Sequence, residues 1–168
     1  MRDNMDAHNL RGCSESEDSR VLRTYVRLRN RALTNIGSDF RTIRAFAFMM
    51  IVAETGLGPE EVRKLEIENL DPASSIGIVS CRTRGVDGES CISVNLQKAG
   101  SDVLGAYMES RRAFLEEYSF DSRYLFPSRM TINGIMPPEA VNGIVDTVSE
   151  LCEEGIDMEL LRDTFGSQ

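Results

Sequence analysis

Nine basic side chains fall between positions 20 and 64 (Arg20, Arg23, Arg27, Arg29, Arg31, Arg41, Arg44, Arg63 and Lys64), against four acidic ones, Asp39, Glu54, Glu60 and Glu61. Guanidinium forks at this density suit the oxygens of phosphate groups. The segment is +5, but the 168-residue chain is -8, so the remainder carries -13. Broad electrostatic attraction to nucleic acid is excluded, and any phosphate-binding surface must be local. Arg20, Arg23, Arg27 and Arg31 recur at helical intervals on one face, which reads first as a solvated face and second as one that contacts phosphate. Much later in the chain, Glu159 and Arg162 are three residues apart and so share a helical face.

Other chemistries have little to stand on. The cysteines Cys13, Cys81, Cys91 and Cys152 form no C-x-x-C pair, and His8 is the only histidine, so neither a metal centre nor a cofactor is expected. Reduced, mostly buried thiols are the plain reading, although Cys81 and Cys91 could face each other across a hairpin. The longest apolar run, Ala45 to Ala53, is too short to span a membrane, and the beginning Met1-Arg2-Asp3-Asn4-Met5-Asp6 has no secretory pattern. A cytoplasmic protein without membrane contact is expected.

The elements that must position these groups follow from spacing. Residues 1–19 are polar and acidic, the composition of a disordered tail, and residues 20–168 form one domain. Asp18-Ser19 offers a helix start before an apolar stripe of Val21, Leu22, Tyr25, Val26 and Leu33. Ser38-Asp39 can cap a second helix that is apolar on nearly all sides and ends at Gly56. Pro59 opens a short third helix to Leu65, with Glu60 and Glu61 at its positive end. Ile76 to Cys81 and Cys91 to Leu96 bracket a turn at Asp87-Gly88 and read as a β-hairpin, or as part of a three-stranded sheet. A helix from Ser101 to Tyr118 buries Val103, Leu104, Tyr107, Phe114 and Leu115 and turns Arg111, Arg112, Glu116 and Glu117 outward. Tyr124 to Ser128 is extended, Pro138 to Cys152 is helical, and a last helix starts at Asp157. The fold class is mainly α with a small antiparallel hairpin (α+β).

Thr55-Gly56-Leu57-Gly58, followed at fixed spacing by Glu61, Leu65, Asn69 and Asp71, resembles the first box of the tyrosine recombinases, the phage-integrase family. Gly58 stands where that box has an arginine. The resemblance continues through the hairpin, Tyr124-Leu125-Phe126-Pro127-Ser128, and Glu159-Leu160-Leu161-Arg162-Asp163-Thr164-Phe165-Gly166-Ser167. It implies a recombinase catalytic-domain-like fold and an association with DNA recombination and DNA integration. In the family a tyrosine hydroxyl attacks a backbone phosphate, two arginines hold its oxygens, a hairpin lysine protonates the leaving oxygen, and histidines assist. No metal is required.

Carried onto this chain, the resemblance leaves an incomplete catalytic set. Gly58 offers no donor, Glu159 replaces a histidine and would repel phosphate or pair with Arg162, and Arg162 keeps its family identity while also fitting a plain intrahelical ion pair. Arg84 best matches the hairpin lysine, with Arg82 next to it; a guanidinium binds phosphate but is a poor proton donor. The family's nucleophilic tyrosine lies past the matched segment, so a degenerate domain lacking the C-terminal nucleophile segment is expected, or a piece of a longer protein. Arg63, Lys64, Arg82 and Arg84 are the expected DNA contacts. The implied function is a recombinase-like domain that binds DNA weakly at most, is catalytically inactive, and is a monomer in isolation. The alternative is a noncatalytic protein-interaction or regulatory domain on the same scaffold.

Overall fold

The computed structural model describes the backbone of residues 15–70, 78–85 and 88–166, and the side chains of residues 15–70 and 95–162. Residues 1–14, most of the expected tail, lie outside the described residues. So do Asp71 and Asp87.

The first helix, α1 (Glu17–Thr34), starts earlier than the sequence suggests. The Ser16 hydroxyl accepts from the Ser19 N–H, and Glu17 and Asp18 then fill the first turn, where the helix end is positive. Its buried face is Val21, Thr24, Tyr25, Leu28 and Ala32. Leu22 and Leu33, expected on that stripe, are exposed instead. At 100° per residue they fall outside the arc of those buried side chains, and no described residue buries them.

The centre of the molecule is α2 (Phe40–Thr55), whose residues from Ala45 to Thr55 are all buried. Asp39 caps it by accepting from the Thr42 N–H at 2.8 Å, which holds the Asp39 carboxyl below its ordinary range. A helix apolar all round must be surrounded. Here α1, α4 (Lys98–Glu117), α5 (Pro138–Cys152) and α6 (Met158–Gly166) surround it. Met49 and Met50 are fully buried in this core, and so is Cys152, whose thiol is pushed up by burial.

Between α2 and α4 run the short α3 (Pro59–Arg63), a 3-10 turn (Ile67–Asn69), and two strands, β1 (Ile78–Gly85) and β2 (Gly88–Asn95), paired antiparallel. The register sets Cys81 against Ile92 and Cys91 against Arg82. The two cysteines are therefore not a cross-strand pair. Among the described residues the sheet has two strands. The extended piece after α4 docks beside the end of α3, with Leu125 N–H donating to Leu65 C=O and Ile67 N–H to Arg123 C=O, each at 2.8 Å. Asp157 caps α6, accepting from the Glu159 and Leu160 N–H groups.

Candidate functional site

The site is built on the turn between α2 and α3. Thr55 Oγ1 donates back to Ile51 C=O at 2.6 Å and accepts from Leu57 N–H, which closes α2. Gly56 follows at φ +72, the left-handed conformation that ends helices and favours glycine. Leu57 is buried as the turn's anchor. Gly58 then begins α3 with Pro59 in its first position, and the Glu61 carboxylate reaches back to accept the Gly58 N–H. Glu61 is thus a capping acid.

Arg162 of α6 arrives over this turn from more than a hundred residues away. Its Nε lies 3.4 Å from Gly56 C=O, and a Cβ placed on Gly58 would sit 3.4 Å from both Cζ and Nη2 of its guanidinium. Gly58 and the Arg162 guanidinium are therefore direct neighbours. Glu159 does not join them. It is exposed, and no ion pair links it to Arg162 among the described residues, which corrects the pairing suggested by their spacing. Three residues of separation allows the contact, but Arg162 is drawn toward the Gly56 carbonyl instead.

The expected phosphate contacts separate into different environments. Arg63 is buried; Nη1 donates to Met136 C=O at 2.8 Å and Nη2 to Glu60 Oε2 at 2.7 Å. That pairing holds the Glu60 carboxyl below its ordinary range. Arg63 is thereby a tether between α3 and the segment before α5, with few donors left for a phosphate. Lys64 is exposed, with Nζ 3.9 Å from Glu60. Arg82 and Arg84 lie two apart on β1, at the register positions opposite Cys91 and Glu89. Among the described residues no group of three or more His, Cys, Asp or Glu could hold a metal.

The remaining basic residues also divide. Arg44 is turned toward the core, its Cζ 5.7 Å from the Phe40 ring centroid, and burial lowers its affinity for the proton. On α1, Arg27 pairs with Glu154 at 2.7 Å, Arg31 with Glu153 at 3.7 Å, and Arg23 with Glu15. The arginine face is partly exposed and already shared with carboxylates.

No family model matches the chain, and no curated protein matches it. Solved structures do. XerA recombinase is 22% identical with a TM-score of 0.58, over 86% of this chain and 46% of that one. XerH site-specific recombinase bound to difH substrate, a pre-cleavage complex, is 14% identical with a TM-score of 0.59, over 83% and 40%. Its post-cleavage complex on palindromic difH gives 14% and 0.60, over 83% and 39%.

The fold is that of a tyrosine recombinase. The chain spans less than half the length of these recombinases.

Two charged residues that sequence reasoning did not single out hold the recombinase fold together around the site. Glu54, the residue before Thr55, is 3% exposed; its carboxylate accepts from Tyr25 Oη at 2.8 Å, Gln97 N–H at 2.9 Å and Gly100 N–H at 3.2 Å. Burial raises its pKa, against the lowering effect of those hydrogen bonds. Arg111, expected to face outward, is 7% exposed and donates to the carbonyls of Ser122, Tyr124 and Leu125. One signal was available for it: Arg111 is four residues from Tyr107, which is fully buried and whose Oη also donates to Leu125 C=O. No helix among the described residues is long and apolar enough to cross a membrane.

Proposed function

We propose that this chain is a recombinase-fold domain that contacts DNA through a local basic surface and does not cleave it. The observation that carries the reading is the meeting of Gly58 with Arg162. If the family's two phosphate-holding arginines belong at these positions, they share one site, and here that site holds a single guanidinium. Loss of one such donor typically costs roughly 100-fold to 1,000-fold in rate. Glu159 adds a carboxylate in place of a proton-transferring imidazole, and Arg82 or Arg84 on β1 can bind a phosphate but not readily release a proton to a leaving oxygen. The paired strands β1 and β2 are the small antiparallel sheet that would present those arginines. On this reading the domain acts in the cytoplasm as a monomer.

A nicked duplex that traps covalent recombinase–DNA intermediates tests the loss of chemistry. No band shifted in a denaturing gel is expected. A protein-linked DNA band would overturn the proposal of inactivity.

Binding is tested separately by fluorescence anisotropy on duplex DNA at several salt concentrations. Affinity is expected to fall with salt, and Lys64→Ala, Arg82→Ala and Arg84→Ala together are expected to reduce the log–log slope by roughly one for each phosphate left unneutralised. Arg63 is left out of this set because its donors are engaged within the protein.

A second reading, a noncatalytic protein-interaction or regulatory domain, is favoured by the net charge of -8. Salt-independent binding, or none, in the same titration would favour it over the first.

A further inference from the structure

We propose that the outer face of α1 is a docking site for an acidic amphipathic helix of another protein. Leu22 is 58% exposed and Leu33 37% exposed, with the partly buried Val26 between them. At 100° per residue these three lie within one narrow stripe outside the arc of the fully buried residues, with Val26 also touching the core. Arginines border the stripe on both sides. Arg29 flanks it on one side and Arg23 is nearest on the other, with Arg27 and Arg31 further round the helix. Two open grooves run beside the helix: one is lined by Arg23, Val26, Arg27, Asn30 and Arg31, the other by residues including Arg29, Leu33 and the Lys98–Asp102 ion pair.

The chemistry of the occupant follows from what already sits there. Glu15, Glu153 and Glu154 pair with Arg23, Arg31 and Arg27, so the arginines have the reach and geometry to bind carboxylates. All three pairs are at least partly solvent-exposed. Exposed ion pairs contribute little and can be exchanged for an incoming acid at small cost. A phosphate backbone would use the arginines but has nothing to cover the leucines. An acidic helix with an apolar stripe of the same spacing satisfies both. A second copy of this chain is a poorer match. Its described long helices other than α1 already bury their apolar faces: Val103, Leu104 and Tyr107 on α4, and Ile144, Val148 and Cys152 on α5.

The proposal is independent of whether the domain binds or cleaves DNA. Its test uses the full chain and a fluorescein-labelled synthetic helix with leucines at i, i+4, i+7 and i+11 flanked by glutamates, alongside a scrambled peptide of equal composition. Saturable binding is expected for the patterned peptide and weaker binding by at least about tenfold for the scrambled one. Leu22→Ser with Leu33→Ser should weaken the patterned peptide by at least about tenfold, and Arg23→Gln with Arg27→Gln by several-fold. Both side chains of the leucine pair are exposed, and an unchanged thermal midpoint would confirm that the variant is folded. Equal binding of the two peptides, or no effect of the leucine pair, overturns the proposal. So does sedimentation showing a dimer that the leucine pair abolishes without patterned-peptide binding, or duplex DNA binding that is the only activity lost with the arginine pair.

Discussion

Adding one methyl group at Gly100 is expected to destabilise the domain by about 3 kcal/mol, although the same change in an ordinary helix would stabilise it by up to about 1 kcal/mol. A Cβ on Gly100 would overlap Glu54 Oε2 and lie 2.6 Å from its carboxyl carbon. The space is taken because Glu54 caps α4 from another helix. Gln97, at the N-cap, makes no side-chain capping hydrogen bond. The Glu54 carboxylate instead accepts the N-cap N–H of Gln97 and the third-position N–H of Gly100, the two donors that a local capping box would satisfy. A side chain at position 100 would push out the carboxylate that serves both.

The double-mutant cycle carries a sign reversal. Glu54→Ala alone is expected to cost about 3 kcal/mol, because buried donors at the start of α4 lose their acceptor. In that background Gly100→Ala should become neutral or stabilising, since the obstacle is gone and alanine's helix propensity remains. Urea unfolding of the four proteins checks this. Additive losses would show that the clash with Glu54 does not set the cost.

Glu54 also gives the stability a defined pH dependence. Burial raises its folded-state pKa above its unfolded value, so the folded state holds the proton more tightly. The resulting contribution is fully present below the unfolded pKa and is lost as pH rises through the folded one. The stability difference between the natural chain and Glu54→Gln should therefore shift against the natural chain as pH increases across that interval. A flat difference would mean that Glu54 titrates alike in both states.

The second large effect is expected at Arg111. Arg111→Met keeps the apolar stem but strips the carbonyls of Ser122 and Tyr124 of their guanidinium donors, at an expected cost of about 3 kcal/mol in unfolding free energy. Arg111→Lys should recover little, because one ammonium cannot reproduce a planar fork that reaches three carbonyls. Tyr107 would still serve Leu125. Hydrogen exchange should show the loss as faster opening of the Leu125 and Ile67 amides, which join this segment to the end of α3. Destabilisation without that local change would place the role of Arg111 elsewhere.

Both residues show where sequence reading stops. Glu54 reads as a charge at the end of an apolar helix, and Arg111 as an outward charge on an amphipathic one. Each is buried because its partners come from distant segments: Gln97 and Gly100 for Glu54, and the 122–125 carbonyls for Arg111. Neither the periodicity of α2 nor that of α4 contains those partners. The same limit separated the basic cluster. Arg63 and Lys64 are neighbours in sequence, yet Arg63 is buried against Met136 C=O and Lys64 is exposed.

What the sequence determined by itself is local. Gly56 stops α2, Pro59 starts α3, Glu61 caps it and the residues of α2 are apolar all round, since each effect acts through the chain's own backbone within a few residues. The recombinase-like fold was anticipated by the resemblance of Thr55 to Gly58, Tyr124 to Ser128 and Glu159 to Ser167 to the family's boxes. Only the tertiary structure placed Arg162 over Gly58 and left it unpaired with Glu159, three residues away. A guanidinium at the end of a long, flexible stem goes where the packing of α6 on α2 leaves an acceptor within reach. That acceptor, the Gly56 carbonyl, is 106 residues distant in the chain.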